Sequence, residues 1–431
     1  MRQPIYIIDG ARSPFLKARH QPGPFSAADL AMQPGRALLM RQRFMPDQLD
    51  EVILGCASPS VDEVNIGRVV ALRMGCGHRV PGWTVMRNCA SGMQAIDSAA
   101  ANLLSGRSHL VLAGGVDALS RAPLLYNHRM VNWFARMAQA RGPLQKAQAL
   151  LRLQPQQAFK PIVSLMRGLT DPSVGLMMGQ TAENLAYRFG IHRKAMDTYA
   201  LQSHARAAAA QEAGRLKTGG GEIEALYTLD GQTFTSDNGV RRELQLEQLA
   251  ALPPFFDRHV GNITAGNSSQ ITDGAAWLLL ADRHAVKNHQ LTPIGRIVDV
   301  HWAGLDPAQM GLGPVHAATP MLVRHGLTLN DIDAWEINEA FAAQVLGCLA
   351  AWRDETYCQT QLGLTQAFGE IDPEKLNVDG GAIALGHPVG ASGTRIVLHL
   401  LHVLKRTGGK RGVAAICIGG GLGGAMLIEA L

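Results

Sequence analysis

Residues 89–115 open Cys89-Ala90-Ser91-Gly92 and continue through a helix-like run with Ala95, Ile96, Ala99, Leu103 and Leu104. A break at Gly106 then leads to an apolar strand, Leu110-Val111-Leu112-Ala113, that ends in Gly114-Gly115. The plan recurs downstream: Gly390-Ala391-Ser392-Gly393, a helix-like run through Ile396, Val397, Leu400, Leu401 and Val403, Gly408-Gly409, a strand Ala414-Ala415-Ile416-Cys417-Ile418, and Gly419-Gly420. A matched Ala-Ser-Gly can arise by chance, and helix-then-strand is common. The shared order of five features favours one unit used twice. Both helical runs are apolar on more than one face, as a helix between two sheets must be. Both strands are continuous apolar runs, as parallel strands covered on two faces require. The expectation is a layered α/β protein with two similar halves around central helices.

Working outward, Ile5-Tyr6-Ile7-Ile8, closed by Asp9-Gly10, reads as a first strand and is too short for a secretion signal. From Arg121 to Leu252-Pro253-Pro254 the character changes, with helix-like stretches such as 181–215 and a break at Gly219-Gly220-Gly221. This reads as an excursion from the first half. The boundaries expected are a first half over 1–120, an inserted loop domain over 121–254, a return of the first half over 255–282 and a second half over 283–431.

Within the excursion, 121–170 holds eight Lys/Arg and no Asp or Glu. Interleaved Leu124, Leu125, Met130, Val131, Trp133, Phe134, Leu150, Leu151, Phe159 and Leu165 make it amphipathic. That suits a peripheral membrane contact or an acidic partner, and equally a solvated basic face on a packed helical pair.

Composition narrows the function. With 431 residues, 47% hydrophobic and 17% charged, the chain can bury a thick core. A net charge of +5 without a long basic run argues against a nucleic-acid partner and fits one carrying a few phosphates. Six cysteines without a CxxC pair read as reduced thiols in a cytoplasmic setting. No apolar stretch reaches the roughly 20 residues of a membrane span.

Cys89 follows an extended segment, Trp83-Thr84-Val85-Met86, and stands at a helix start, where free N–H groups stabilise a thiolate. An inert buried cysteine would look the same. His387 lies in the Gly-rich run Asn377-Val378-Asp379-Gly380-Gly381-Ala382-Ile383-Ala384-Leu385-Gly386-His387-Pro388. By the repeat, its turn mirrors that of Cys89, so it can serve as base to that thiol. Cys417 closes a buried strand before Ile418-Gly419-Gly420-Gly421-Leu422-Gly423-Gly424, where open N–H groups could hold an oxyanion or glycines could serve close packing alone. Two thiols and one imidazole make a poor zinc set, and the glycine runs match neither nucleotide-binding fingerprint. No metal and no permanently bound cofactor are expected.

With Glu336-Ile337-Asn338-Glu339-Ala340-Phe341 and the segment Thr264–Ala276 (Thr-Ala-Gly-Asn-Ser-Ser-Gln-Ile-Thr-Asp-Gly-Ala-Ala), these motifs resemble those of the thiolase family, in its order and over essentially the whole chain. The resemblance implies a five-layered αβαβα fold of two duplicated halves with an inserted loop domain. It implies an acyltransferase in which Cys89 is acylated, His387 activates it and Cys417 is the general acid/base. Asn338 would position a water that forms one oxyanion hole with His387, and the N–H groups of Cys89 and Gly419 would form the other.

By the same resemblance coenzyme A enters as substrate, Ser269 contacts its pantetheine, and Arg242 or Arg241 lies near its nucleotide. Met177 replaces a histidine common in the family, and with Met310 and Phe341 would line the acyl site. The basic insertion resembles that of the β-subunit of trifunctional fatty-acid-oxidation complexes, implying medium- or long-chain 3-ketoacyl-CoA degradation beside a hydratase/dehydrogenase subunit. A homodimer or tetramer follows by family only. A biosynthetic acetoacetyl-CoA enzyme is the alternative. A non-catalytic acyl-CoA scaffold would need none of Cys89, His387, Asn338 and Cys417, and a decarboxylating ketoacyl synthase would leave Cys417 without a role.

Overall fold

The computed structural model describes residues 4–19, 21–153, 156 and 160–431. Phe159 of the amphipathic stretch lies outside the described residues. In chain order the principal elements are β1 (Ile5–Arg12), α1 (Ala27–Met40), β2 (Glu51–Gly55), α2 (Ile66–Arg73), β3 (Gly82–Val85), α3 (Ser91–Leu104) and β4 (Leu110–Ala118). The excursion carries β5 (Leu124–Leu125), α4 (His128–Gln139), α5 (Pro143–Leu151), β6 (Ile162–Val163), α6 (Ser164–Gly168), α7 (Met178–Arg188) and α8 (Arg193–Glu212). Then come β7 (Thr272–Ala281), β8 (Gly295–Gly304), α9 (Gly313–Arg324), β9 (Ala334–Ile337), α10 (Ala342–Arg353), α11 (Val389–Thr407), β10 (Arg411–Ile418) and β11 (Leu422–Ala430).

The strands run β3-β2-β4-β7-β1 and then β8-β11-β10-β9 in one hydrogen-bonded path. Reading each half from its start gives the same plan. β1, α1, β2, α2, β3, α3, β4, β7 correspond to β8, α9, β9, α10, a parallel bridge of Leu376 to Trp335, α11, β10, β11. The halves meet where β1 pairs antiparallel with β8 over Ile5–Ile7 and Gly295–Ile297.

The sheet is mixed, contrary to the parallel expectation. β4 pairs parallel with β2 but antiparallel with β7, and β10 pairs parallel with β9 but antiparallel with β11. The apolar runs were a signal of burial on two faces, and burial does not fix direction. β1 also continues through Asp9-Gly10 to Arg12, because a bulge between Ile7 and Asp9 absorbs the polar residue. The single helical stretch expected over 181–215 is two helices, α7 and α8.

Alternation along the strands builds the layers. Ile53, Val111, Ala113, Leu278 and Leu280 face a central core with Ile396, Val397, Ile416 and Ile428. Their neighbours Val52, Leu54, Leu112, Trp277 and Leu279 face the outer helices α1 and α2. In the second half Val413, Ala415, Ala425 and Leu427 face α9 and α10. The order is therefore helix, sheet, helix, sheet, helix, with α3 and α11 in the middle.

Those two helices touch at their first turns. A Cβ on Gly92 would stand 2.4 Å from Thr394 Oγ1 and 2.7 Å from the Gly390 carbonyl, and one on Gly393 would stand 2.6 Å from the Met93 nitrogen. Gly92 and Gly393 are the repeated glycines of the two Ala-Ser-Gly segments. Only a residue without a side chain permits this approach. It is what brings the turns of Cys89 and His387 together.

Candidate active site

Four loops converge at this crossing. Cys89 follows β3 and precedes α3, after Asn88 in a left-handed conformation (φ 44°) that asparagine tolerates. Asn88 Nδ2 donates to the Gly419 carbonyl at 2.8 Å, tying the first turn to the glycine turn after β10. The N–H groups of Gly419 and of Cys89 itself point at Cys89 Sγ and favour its thiolate, but burial outweighs them and pushes the thiol up. This corrects the expectation from the helix start alone: Cys89 rests as a thiol and needs a base.

His387 is buried, and its backbone N–H donates to the Gln270 carbonyl at 3.0 Å. Its Nδ1 meets Ser392 Oγ at 2.6 Å, and that hydroxyl lies 3.1 Å from the Pro388 carbonyl. If the hydroxyl donates to the carbonyl, Nδ1 must carry the ring proton, leaving Nε2 as a free acceptor. Among the described residues Nε2 is buried without a partner, and burial, helped by Arg395, lowers the pKa to about 4. A neutral imidazole with its open lone pair is a competent base at neutral pH.

Cys417 ends β10 almost wholly buried, packed with Met310, Phe341 and Ile383. Burial first, then charge on Cys89, raises its pKa well above the ordinary thiol value. The two sulfurs are thus close enough to sense one another, and Cys417 is held as a proton donor. Asn338 follows β9, its N–H donating to the Ala415 carbonyl at 2.9 Å. Its side chain is fully buried, and among the described residues neither amide atom is partnered, as in a site built for a water or ligand oxygen.

A cavity of about 370 Å³ opens over Cys89, walled by Ser58, Asn88, Val389, Gly419 and Met178 and roofed by residues of 164–173, among them Leu165 and Leu169. Of the acyl-site methionines, Met310 joins the cluster around Cys417. Met178, not Met177, lines this cavity; a Cβ on Gly419 would stand 3.1 Å from its sulfur, whereas Met177 serves as the residue that starts α7. Ser269 is half-buried, its N–H bonded to the Ala340 carbonyl at 2.9 Å. Arg242 is exposed, 3.9 Å from Glu212, and its neighbour Arg241 lines a separate surface pocket with Leu244 and Leu252.

Three positioning residues escaped the sequence reading. Asp117, fully buried, accepts from the N–H of Ser58 at 2.8 Å and of Gly390, clamping two cavity walls, and burial raises its pKa to about 6. Glu339 accepts from Ser203, Tyr199, Asn377 and the Ile383 N–H, which fixes the loop leading to His387. Ser392 was visible as the repeat mate of Ser91, which likewise ties its turn, accepting from the Arg87 N–H and donating to the Asn88 carbonyl. Among the described residues no cluster of His, Cys, Asp or Glu could hold a metal ion.

A nucleophilic thiol with converging N–H groups, a neutral imidazole and a second, protonated thiol together suit covalent acyl transfer coupled to proton transfer at carbon. The chain belongs to the thiolase family: the model described as "Thiolase, N-terminal domain" matches residues 5–284 and "Thiolase, C-terminal domain" matches 291–430. It is 38% identical over 426 residues to the mitochondrial 3-ketoacyl-CoA thiolase of Rattus norvegicus, covering 99% of this chain and 98% of that one. Human mitochondrial 3-ketoacyl-CoA thiolase in complex with CoA superposes with a TM-score of 0.83 at 36% identity, covering 100% of this chain and 98% of that one. The Bacillus anthracis acetyl-CoA acetyltransferase matches equally, at 0.83 and 36%, covering 100% and 99%.

Proposed function

We propose that the protein is a 3-ketoacyl-CoA thiolase, an acetyl-CoA C-acyltransferase of fatty-acid β-oxidation. The observation that carries this reading is the pair of N–H groups, from Cys89 and Gly419, converging on the Cys89 sulfur beside the buried thiol of Cys417. His387 Nε2 takes the Cys89 proton and Sγ attacks the keto carbon, its oxyanion received by those N–H groups. The C2–C3 bond breaks, leaving an acyl-Cys89 and the enolate of acetyl-CoA. The enolate oxygen is held by the imidazole and a water on Asn338. Cys417 gives its proton to C2, and acetyl-CoA leaves. Incoming coenzyme A passes its thiol proton to Cys417 and attacks acyl-Cys89, and the released Cys89 thiolate recovers its proton from His387. CoA is a substrate here, in keeping with the CoA complex of the human relative. Ser269 and Arg241 or Arg242 are the candidates to contact it.

The apolar roof over Cys89, from Leu165 and Leu169, supports chains longer than acetoacetyl. The equal match to an acetyltransferase favours the second reading, a biosynthetic acetoacetyl-CoA thiolase. Thiolysis of 3-ketoacyl-CoAs of increasing length separates the two, and activity confined to acetoacetyl-CoA would select the second. Mixing with a 3-ketoacyl-CoA in the absence of free CoA should leave one acyl group on Cys89 by mass spectrometry. An unmodified Cys89 in a folded sample would overturn both and favour a non-catalytic scaffold.

A homodimer or dimer of dimers is part of this reading, since among the described residues β3 stands at a free sheet edge and is followed by Met86, 56% exposed. The six free cysteines support a reducing, cytoplasmic compartment, and a hydratase/dehydrogenase subunit is the partner the pathway would supply.

A further inference from the structure

The loop after β1 and a loop of the inserted domain meet at a surface notch that the reaction above leaves unused. Leu16 and Lys17 pair antiparallel with Asp273 and Thr272 at the start of β7, and the Ala18 N–H donates to the Ile271 carbonyl at 3.0 Å. The Lys17 N–H donates to Asn238 Oδ1 at 2.7 Å, and the Arg241 N–H donates to His204 Nδ1 of α8 at 3.1 Å. These backbone bonds fix where Lys17 and Arg241 leave the chain, with Arg19 two residues beyond Lys17. Lys17 is half-buried, and the two arginines are exposed.

The three cations, with Asn238, Gly239 and Val240, wall a cavity of about 420 Å³. None of the three forms an ion pair among the described residues. Asp273 lines the next recess, but its carboxylate is taken by the N–H and hydroxyl of Ser120. The cations act on one another instead: burial, then Arg241 and Arg19, lowers the Lys17 pKa, and burial, then Arg241 and Lys17, lowers that of His204 to about 4. Like charges crowded in this way are relieved when an anion enters. Two guanidinium groups and an ammonium around one recess match the oxygens of a phosphate. Arg241 is also a wall of a neighbouring cavity of about 410 Å³, where Leu244, Leu249 and Leu252 offer an apolar slot for a purine and Gln248 and Glu243 can meet its ring nitrogens. On the other side Gln270, next to Ser269, donates through Nε2 to the Gly239 carbonyl at 3.0 Å and accepts the His387 N–H at 3.0 Å through its own carbonyl. One residue thus ties the notch to the catalytic base.

We propose that the notch takes a phosphate of coenzyme A, with Lys17 and Arg19 of the first half joining Arg241 of the inserted domain to hold the nucleotide end while the pantetheine runs past Ser269 toward Cys89. This extends the reaction proposed above, on which it rests, by two residues that no motif in the sequence marks. CoA carries the matching chemistry twice, in the 3′-phosphate of its ribose and in its diphosphate bridge.

The test is calorimetric titration of the full chain with CoA and with 3′-dephospho-CoA, beside steady-state thiolysis. The variant K17Q/R19Q should bind CoA about 10- to 100-fold more weakly, the loss expected for charge-assisted bonds to a phosphate, and its KM for CoA should rise by a similar factor. K17R/R19K, which keeps both charges, should restore most of the affinity. A loss that vanishes with 3′-dephospho-CoA assigns the notch to the 3′-phosphate, and one that persists assigns it to the diphosphate; either supports the proposal. Salt should weaken CoA binding by the parent more than by K17Q/R19Q. Pantetheine, which has no phosphate, should serve parent and variant alike as the attacking thiol, and this also reports that the variant folds. Equal affinity of parent and variant for CoA, CoA binding indifferent to salt, or pantetheine use falling in step with CoA use would each overturn the proposal. Titration reads binding without turnover. A chain that cleaves no 3-ketoacyl-CoA yet needs Lys17 and Arg19 to bind CoA would therefore sink the proposed reaction and leave the notch standing.

Discussion

Replacing Gly92 by alanine tests whether the contact between the two central helices sets the reaction geometry. An alanine in the first turn of α3 gains about 1 kcal/mol of helix propensity over glycine. Opposing this, the new Cβ falls 2.7 Å from the Gly390 carbonyl oxygen and 2.4 Å from Thr394 Oγ1, where ordinary contact begins near 3.4 Å. The threonine can rotate but the carbonyl cannot, so α3 must retreat from α11 by about 0.7 Å, the difference of those distances. Overpacking of this kind costs about 1–3 kcal/mol, and with backbone on the receiving side the net destabilisation should be about 2 kcal/mol. Cys89 stands at the start of the same helix and moves with it. A displacement approaching 1 Å from a reacting group lowers turnover by about 100-fold. Urea denaturation and steady-state thiolysis should therefore show a lowered midpoint and a kcat reduced by tens to about 100-fold. Gly304→Ala, where a Cβ would meet nothing within 4 Å, is the control and should change neither. A Gly92→Ala protein with the parent's midpoint and kcat would refute the reasoning, and would mean that the helices have slack.

His387 has a native pKa of about 4 against an ordinary 6.5, so between these values the unfolded chain binds the extra proton. Stability from this group is full above 6.5 and falls as pH drops toward 4, by about 3 kcal/mol. Unfolding of the parent and of His387→Asn at pH 7 and pH 4 should show the difference between them shrinking by that amount, and a constant difference would contradict it. Ser392→Ala removes the hydroxyl that meets Nδ1 and should lower kcat by about 10–100-fold, while Ser392→Thr keeps most of the rate. Equal rates for the two would exclude the hydroxyl from orienting the ring. Arg395→Met strands Glu336, its buried partner at 2.7 Å, and should destabilise by about 3–5 kcal/mol in urea. It should also raise the His387 pKa by removing a nearby positive charge, a shift visible by NMR.

The layers and the principal chemical groups were legible because both follow from local pattern. Helices apolar all round, strands without alternation and a repeated Ala-Ser-Gly left few ways to pack two halves, and each of Cys89, His387 and Cys417 sat at a glycine-marked turn. What escaped depends on long-range pairing. The direction of β7 against β4 is set by a strand arriving about 150 residues later, beyond any window of periodicity. Asp117 lies inside a strand, where one carboxylate among apolar residues reveals nothing of the Ser58 and Gly390 N–H groups it receives. Met178 and Met177 are adjacent and chemically alike, and only the start of α7 decides which one faces Gly419. The acid-free stretch announced an unusual surface, but charge and apolarity along a line could not show a recess between two helices, α4 and α5.

The short antiparallel seam of β1 with β8, three residue pairs long, is a small hydrogen-bonded join between two large halves. Each half contributes its own run of strands to the joined sheet, yet neither owns a full set of reacting groups. Cys89 belongs to the first half, and His387 and Cys417 to the second, so the reaction needs both halves held against each other. Breaking the backbone between 289 and 294, in the turn before β8, should therefore give two fragments that are silent apart and active on mixing.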